Sequence, residues 1–103
     1  MPLNRLRRKI TKETLWLYIL ALLKKKPMYA YEIPNEIERK FGFKIGKISS
    51  YVVLYRLQSS GYVTSKLNDK SGRPRRYYVI TKKGEAILNE GISFVSNLLK
   101  KLN

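Results

Sequence analysis

The sequence predicts a small α+β domain, mainly α: three helices, then a two-stranded antiparallel hairpin, then one long helix. Three observations carry that reading. Apolar residues recur at helical spacing in three stretches, closed in turn by Pro27, Gly42 and Gly61. Two runs rich in aromatic and β-branched residues, Tyr62 to Leu67 and Arg75 to Ile80, flank the turn-forming stretch Asn68-Asp69-Lys70-Ser71-Gly72-Arg73-Pro74. A final segment repeats apolar residues every three or four positions through Leu102.

The first helix is expected from Lys12 to Lys26, capped by Thr11, with Glu13 in its first turn and Lys24, Lys25 and Lys26 in its last, an arrangement that suits the helix dipole. Its core, Leu15 to Leu23, is apolar around the whole circumference, which one small domain can hardly cover alone. A second copy of the chain is therefore expected, with Leu15 and the helix around it in the contact. The second helix should run from Ala30 to Phe41, turning Ile33, Ile37 and Phe41 inward and ending at Gly42. Pro34 confines its start to the neighbourhood of Tyr31, because proline is tolerated only in a first turn. The third helix, Lys47 to Ser60, turns Ser50, Val53, Leu54 and Leu57 to the core and Ile48, Ser49, Val52, Tyr55 and Arg56 away from it. The hairpin is expected to carry a mobile tip, strongly basic at Arg73, Arg75 and Arg76. Thr81 caps the last helix, in which Leu88, Ile92, Val95, Leu99 and Leu102 step by four, three, four and three, a two-heptad seam suited to dimerisation.

Three helices followed by a hairpin is the order of a winged helix-turn-helix, whose third helix enters the major groove of DNA while the hairpin follows the phosphates. The residues add to the order. Leu20-Ala21-Leu22-Leu23, Met28-Tyr29-Ala30-Tyr31-Glu32-Ile33, Tyr51 with Leu54, Arg56-Leu57, Gly61-Tyr62-Val63, Gly72-Arg73-Pro74-Arg75-Arg76-Tyr77-Tyr78 and Ile80-Thr81 with Gly84 together resemble the PadR family of transcriptional regulators, over about residues 14 to 90. Each piece is weak alone; the combination is specific. The single helix after the hairpin resembles the short subfamily. Two positions depart from the family pattern: Ala30 replaces a glycine, and Ile48-Ser49-Ser50 replaces Gly-Thr-aliphatic before Tyr51. The division that follows is a basic amino-terminal arm over 1–11, a winged-helix DNA-binding domain over 12–81 and a dimerisation helix over 82–103. The resemblance also implies a flat hydrophobic ligand held between aromatic residues at a dimer interface, for which Trp16 is the candidate, set against a plain packing role for the same ring.

The charge points the same way. Lys and Arg number 22 against 7 Asp and Glu, a net charge of +15. A Lys-rich surface can serve solubility or a hot habitat, but here the charge is clustered. Five basic residues lie between Lys66 and Arg76 with only Asp69 opposing them, and four lie in the first nine residues with no acid. Expected contacts with double-stranded DNA are Lys44, Lys47, Ser49, Ser50, Tyr51, Val52 and Arg56 on or beside the third helix, and Arg73, Arg75 and Arg76 on the hairpin. The serines have an alternative role as small or capping residues, and Tyr77 and Tyr78, alternating along one strand with one inward and one near the surface, are read as packing residues ahead of a contact role. With no Cys and no His, thiol redox chemistry, Cys/His metal sites and histidine-based catalysis are excluded, so neither enzyme, cofactor nor metal is expected. The basic start lacks a small-residue cleavage site after the apolar stretch, and nine apolar residues are too few to span a bilayer, so a cytoplasmic protein without membrane contact is expected. The reading is a homodimeric, sequence-specific regulator, a repressor on a pseudo-palindromic operator. Its rivals are an architectural DNA-coating protein and an RNA-binding protein, for which a two-stranded hairpin offers little stacking platform.

Overall fold

The apolar helix in the first third of the chain is the hub of the molecule. In the computed structural model, which describes residues 1–68, 72 and 74–103, the helices are α1 (Pro2–Ile10), α2 (Leu15–Lys25), α3 (Ile33–Phe41), α4 (Lys47–Ser59) and α5 (Lys82–Leu102). The strands are β1 (Met28–Tyr29), β2 (Val63–Asn68) and β3 (Arg75–Ile80). α2 packs against α3, α4, α5 and β3. Leu15, Ile19, Leu20, Leu22 and Leu23 are buried, and Trp16, Leu17, Tyr18 and Ala21 pack partly buried against the same core. Full burial of each such leucine or isoleucine is worth roughly 1.5 to 3 kcal/mol. The chain thus covers its all-round apolar helix by itself, which corrects the expectation that a second copy is needed there. Leu15, assigned to a dimer seam, belongs to this core.

The amino terminus also differs from expectation. Residues read as a basic arm form α1, with Pro2 in its first turn. Thr11 does not cap α2: its hydroxyl donates back to the Arg7 carbonyl, and a 3₁₀ turn over Lys12–Thr14 precedes α2. The junction is tied by Thr14 Oγ1 donating to the Lys9 carbonyl at 2.7 Å and by the Tyr18 hydroxyl donating to the Ile10 carbonyl. Glu13 pairs with Lys9 at 2.9 Å and Arg8 at 3.6 Å. The hydrogen bond from Lys9 holds its carboxyl below the ordinary range.

A short strand was not expected at Met28–Tyr29. It pairs with Tyr78 and Tyr77 of β3, so the sheet has the order β1-β3-β2, with all neighbours antiparallel. In β2 and β3 the register runs from Val63 opposite Ile80 to Asn68 opposite Arg75. A 3₁₀ turn over Ala30–Glu32 follows β1, closed by Glu32 Oε1 accepting from the Tyr29 N–H at 2.8 Å, and leads into α3 with Pro34 in the first turn. The turn expected over 68–74, with its mobile tip, falls mostly on residues outside those described.

The end of α4 and the start of α5 meet at a glycine-dependent joint. α4 ends on Gly61 at φ 82°, where the Tyr62 N–H bonds the Leu57 carbonyl at 2.9 Å and the Gly61 N–H bonds Gln58 at 3.0 Å. The Thr81 hydroxyl donates to the Gly61 carbonyl at 2.7 Å and accepts from the Gly84 N–H at 3.0 Å, capping α5 as expected. Only glycine fits at 84, since an added Cβ would lie 2.1 Å from the Tyr62 carbonyl oxygen. The first half of α5 lies on α2. Leu88 is buried in the core, which removes it from the exposed seam, while Ile92, Phe94, Val95, Leu98, Leu99 and Leu102 remain exposed.

Candidate nucleic-acid interface

α4 follows α3 after a short connection and turns one side to the core. Ser50, Leu54 and Leu57 are buried, and Val53 is half-buried. Lys47, Ile48, Ser49, Tyr51, Val52, Tyr55 and Arg56 are exposed together. No acidic residue occurs anywhere in the helix. Ser50, expected among the DNA contacts, is 0% exposed and so does not belong to that surface. Its hydroxyl has no hydrogen-bond partner among the described residues. Gly46 precedes the helix without a side-chain cap, which leaves the first-turn N–H groups open to water or an anion. Lys47 Nζ lies 6.0 Å from the Tyr51 ring centroid. Lys44, in the connection before α4, sits 3.9 Å from the Glu38 carboxylate in an exposed pair, one that contributes little to stability.

The hairpin carries the second cluster of cations, and the structure shows what aims two of them. Arg75 Nη1 donates to the Tyr31 hydroxyl at 3.2 Å, with the guanidinium carbon 5.6 Å from the Tyr31 ring centroid. Tyr31 stacks on Tyr29 at 5.8 Å, Tyr29 meets the Tyr77 ring edge-on at 6.1 Å, and Asn68 Nδ2 donates to the Tyr29 hydroxyl at 2.7 Å. Arg76 Nη1 donates to Ser65 Oγ at 3.2 Å, and the same oxygen accepts from Gln58 Nε2 of α4 at 3.2 Å. Ser65 therefore joins the hairpin to the last turn of α4. Arg73 lies outside the described residues. Tyr78 packs against the core and Tyr77 against Tyr29, so both serve the packing role. Sequence reasoning missed Tyr29, Tyr31 and Ser65 as supports of the arginines. The two tyrosines stood in the family motif, but only the β1–β3 pairing brings them to the hairpin.

Trp16 lines a cleft of about 240 Å³ with Lys12, Val53, Arg56 and Tyr62 among its neighbours. Its ring edge also lies against α5, where a Cβ on Gly91 would come within 3.1 Å of it. Leu3, Leu6 and Ile10 of α1 are exposed, as is the apolar second half of α5. Among the described residues, no helix is long and apolar enough to cross a membrane.

Comparison with known proteins agrees with this geometry. A sequence model of the Transcriptional regulator PadR-like family matches residues 19–90. An uncharacterised protein of Lysinibacillus sphaericus is 37% identical over 75 residues, covering 70% of this chain and 69% of the relative. Among solved structures, a PadR-like transcription factor from Bacteroides fragilis superposes with a TM-score of 0.80 at 27% identity, covering 96% of each chain. A PadR-family regulator from Eggerthella lenta gives 0.83 at 24% identity, covering 97% of this chain and 88% of the other. Bacillus subtilis PadR, solved in complex with operator DNA, gives 0.70 at 22% identity and is similar in fold over 76% of this chain and 46% of its own. The three helices α2 to α4 and the hairpin after them form a winged helix-turn-helix, and the chain belongs to the PadR-like family of transcriptional regulators.

Proposed function

We propose that this regulator acts as a homodimeric, sequence-specific DNA-binding repressor in the cytoplasm, placing one α4 helix in each of two successive major grooves of a pseudo-palindromic operator. The observation that carries the reading is the acid-free exposed face of α4, set between Lys44 and the Arg75–Arg76 pair of the hairpin. DNA phosphates would meet a basic surface there, with Glu38 beside Lys44 as an acid on its border, while α4 presents side chains to base edges. The contact set is Lys44, Lys47, Ser49, Tyr51, Val52, Arg56, Arg75 and Arg76. The similarity to a fold seen on operator DNA supports it.

The dimer rests on the apolar surface that one chain leaves open. α1 contributes Leu3, Leu6 and Ile10, and α5 contributes Ile92, Val95, Leu99 and Leu102 together with Phe94 and Leu98. Two-fold symmetry of such a dimer matches a pseudo-palindromic operator, whose half-sites in successive major grooves lie roughly 34 Å apart. Residues 1–11 then belong with 82–103 as dimerisation elements flanking the winged-helix unit. The Trp16 cleft lies between the start of α2 and α4, so a small hydrophobic ligand bound there would touch Arg56 and act on the reading helix. Selection of bound duplexes from random DNA at physiological salt tests the function. A shared inverted repeat is expected; recovery of no common sequence would favour an architectural coat over a repressor.

A further inference from the structure

Ile48, Val52 and Tyr55 follow one another at spacings of four and three, which places them on one side of α4. They are 79%, 44% and 72% exposed. An apolar strip this open on a reading helix calls for an occupant, and the surrounding charge selects one. Lys44, Lys47 and Arg56 border the strip, and α4 contains no acid. A second copy of a chain with net charge +15 would meet its own cations there, whereas duplex DNA would meet opposite charge.

The residue types then say what in the duplex is read. Guanine and adenine edges are recognised by paired hydrogen bonds from Arg, Lys, Asn or Gln. Before Arg56, α4 holds Lys47 as its one residue of these types, and Gln58 is already bound to Ser65. Beside the single hydroxyls of Ser49 and Tyr51, what the exposed side of α4 offers is carbon. In the major groove the complementary apolar group is the C5-methyl of thymine. We infer that Ile48, Val52 and Tyr55 set base preference by packing against thymine methyl groups, so that each operator half-site carries thymines beneath α4. The inference rests on the DNA-binding reading above and adds to it the base that is read, with Ile48 and Tyr55 as specificity-determining residues.

Replacing the half-site thymines of the selected duplex by deoxyuridine keeps the base pairing and removes only the methyl groups. Wild-type binding should weaken by about fourfold per contacted methyl, the value of one buried carbon, while binding to random duplex given the same replacement stays unchanged. Ile48→Ala and Tyr55→Ala, both at exposed positions and checked for folding by circular dichroism, should bring the thymine-to-deoxyuridine affinity ratio toward one. Equal binding of the two duplexes by the wild type, with the selected sequence still preferred over random DNA, would overturn the methyl reading and leave the DNA-binding reading standing. So would half-sites without thymine, or a deoxyuridine penalty that both variants retain in full, since the effect would then lie in duplex shape. Failure to bind any duplex selectively would overturn both readings together.

Discussion

Gly84→Ala should be strongly destabilising although it adds a single methyl group. The new Cβ would lie 2.1 Å from the Tyr62 carbonyl oxygen and 2.8 Å from Ile80 Cγ1, where a carbon needs about 3.3 Å from a carbonyl oxygen. α5 would have to retreat by about 1 Å from the end of α4. Retreat strains the Thr81 N–H bond to that carbonyl at 3.1 Å and the Thr81 Oγ1 bond to Gly61 at 2.7 Å. Overpacking costs about 1 to 3 kcal/mol and each weakened hydrogen bond about 1 kcal/mol. Improved helix propensity returns up to about 1 kcal/mol, leaving a net loss of about 2 to 4 kcal/mol. At about 4 °C or more per kcal/mol, the melting temperature should fall by about 10 °C or more. Gly91→Ala is the control. Its Cβ would approach Leu17 Cδ1 at 2.9 Å and Trp16 Cη2 at 3.1 Å, both ends of side chains that can turn aside, so the propensity gain should hold the change within about 1 kcal/mol of wild type. Thermal unfolding at equal protomer concentration measures both. Equal melting of the two variants would refute the claim that the backbone contact at Gly84 sets the position of α5.

Other substitutions test other contacts. Ser50→Ala removes a buried hydroxyl without a partner among the described residues and should raise stability by about 1 kcal/mol in urea unfolding, because an unsatisfied buried polar group is costly; a loss of that size would mean that the hydroxyl is bonded in solution. Val95→Asp on the exposed half of α5 should leave each chain's winged-helix unit intact but shift sedimentation from dimer to monomer, and a wild type that sediments as a monomer at micromolar concentration would remove the seam altogether. Arg75→Ala should lower the magnitude of the log–log salt slope of DNA binding by about 0.9, the signature of one lost phosphate contact; an unchanged slope with altered base preference would make Arg75 a base reader.

The periodic elements were legible because their signals are local. Gly42, Gly61 and Thr81 mark helix ends by chemistry that needs no tertiary context, and α4 turns the expected residues outward. What escaped depends on contacts distant in sequence. β1 is two residues long and exists only as a partner of Tyr77 and Tyr78, so no period announces it, and without it Tyr31 cannot be placed beneath Arg75. α1 was hidden by its own charge, since Arg5, Arg7, Arg8 and Lys9 read as an arm although Leu3, Leu6 and Ile10 keep helical spacing. The assignment of Leu88 to a dimer seam failed because the first half of α5 lies on α2, and that of Leu15 because its own helix is covered within the chain. Apolarity around a whole helix shows that every side is covered, and here α2 is ringed by elements of its own chain. The second half of α5 differs in carrying its apolar residues on one face, and that face is exposed among the described residues.

Changing the distance between the two halves of the selected operator addresses paired recognition without altering the protein. Inserting five base pairs, about half a helical turn, moves the second half-site to the opposite side of the duplex while preserving every base in both. Two α4 helices held by one dimer would then reach only one half-site. The affinity should fall to that of a duplex with a single half-site, and a ten-base-pair insertion should not restore it fully, because the helices keep a fixed separation. Equal affinity for the original and the five-base-pair spacing would contradict a rigid dimer reading both halves at once.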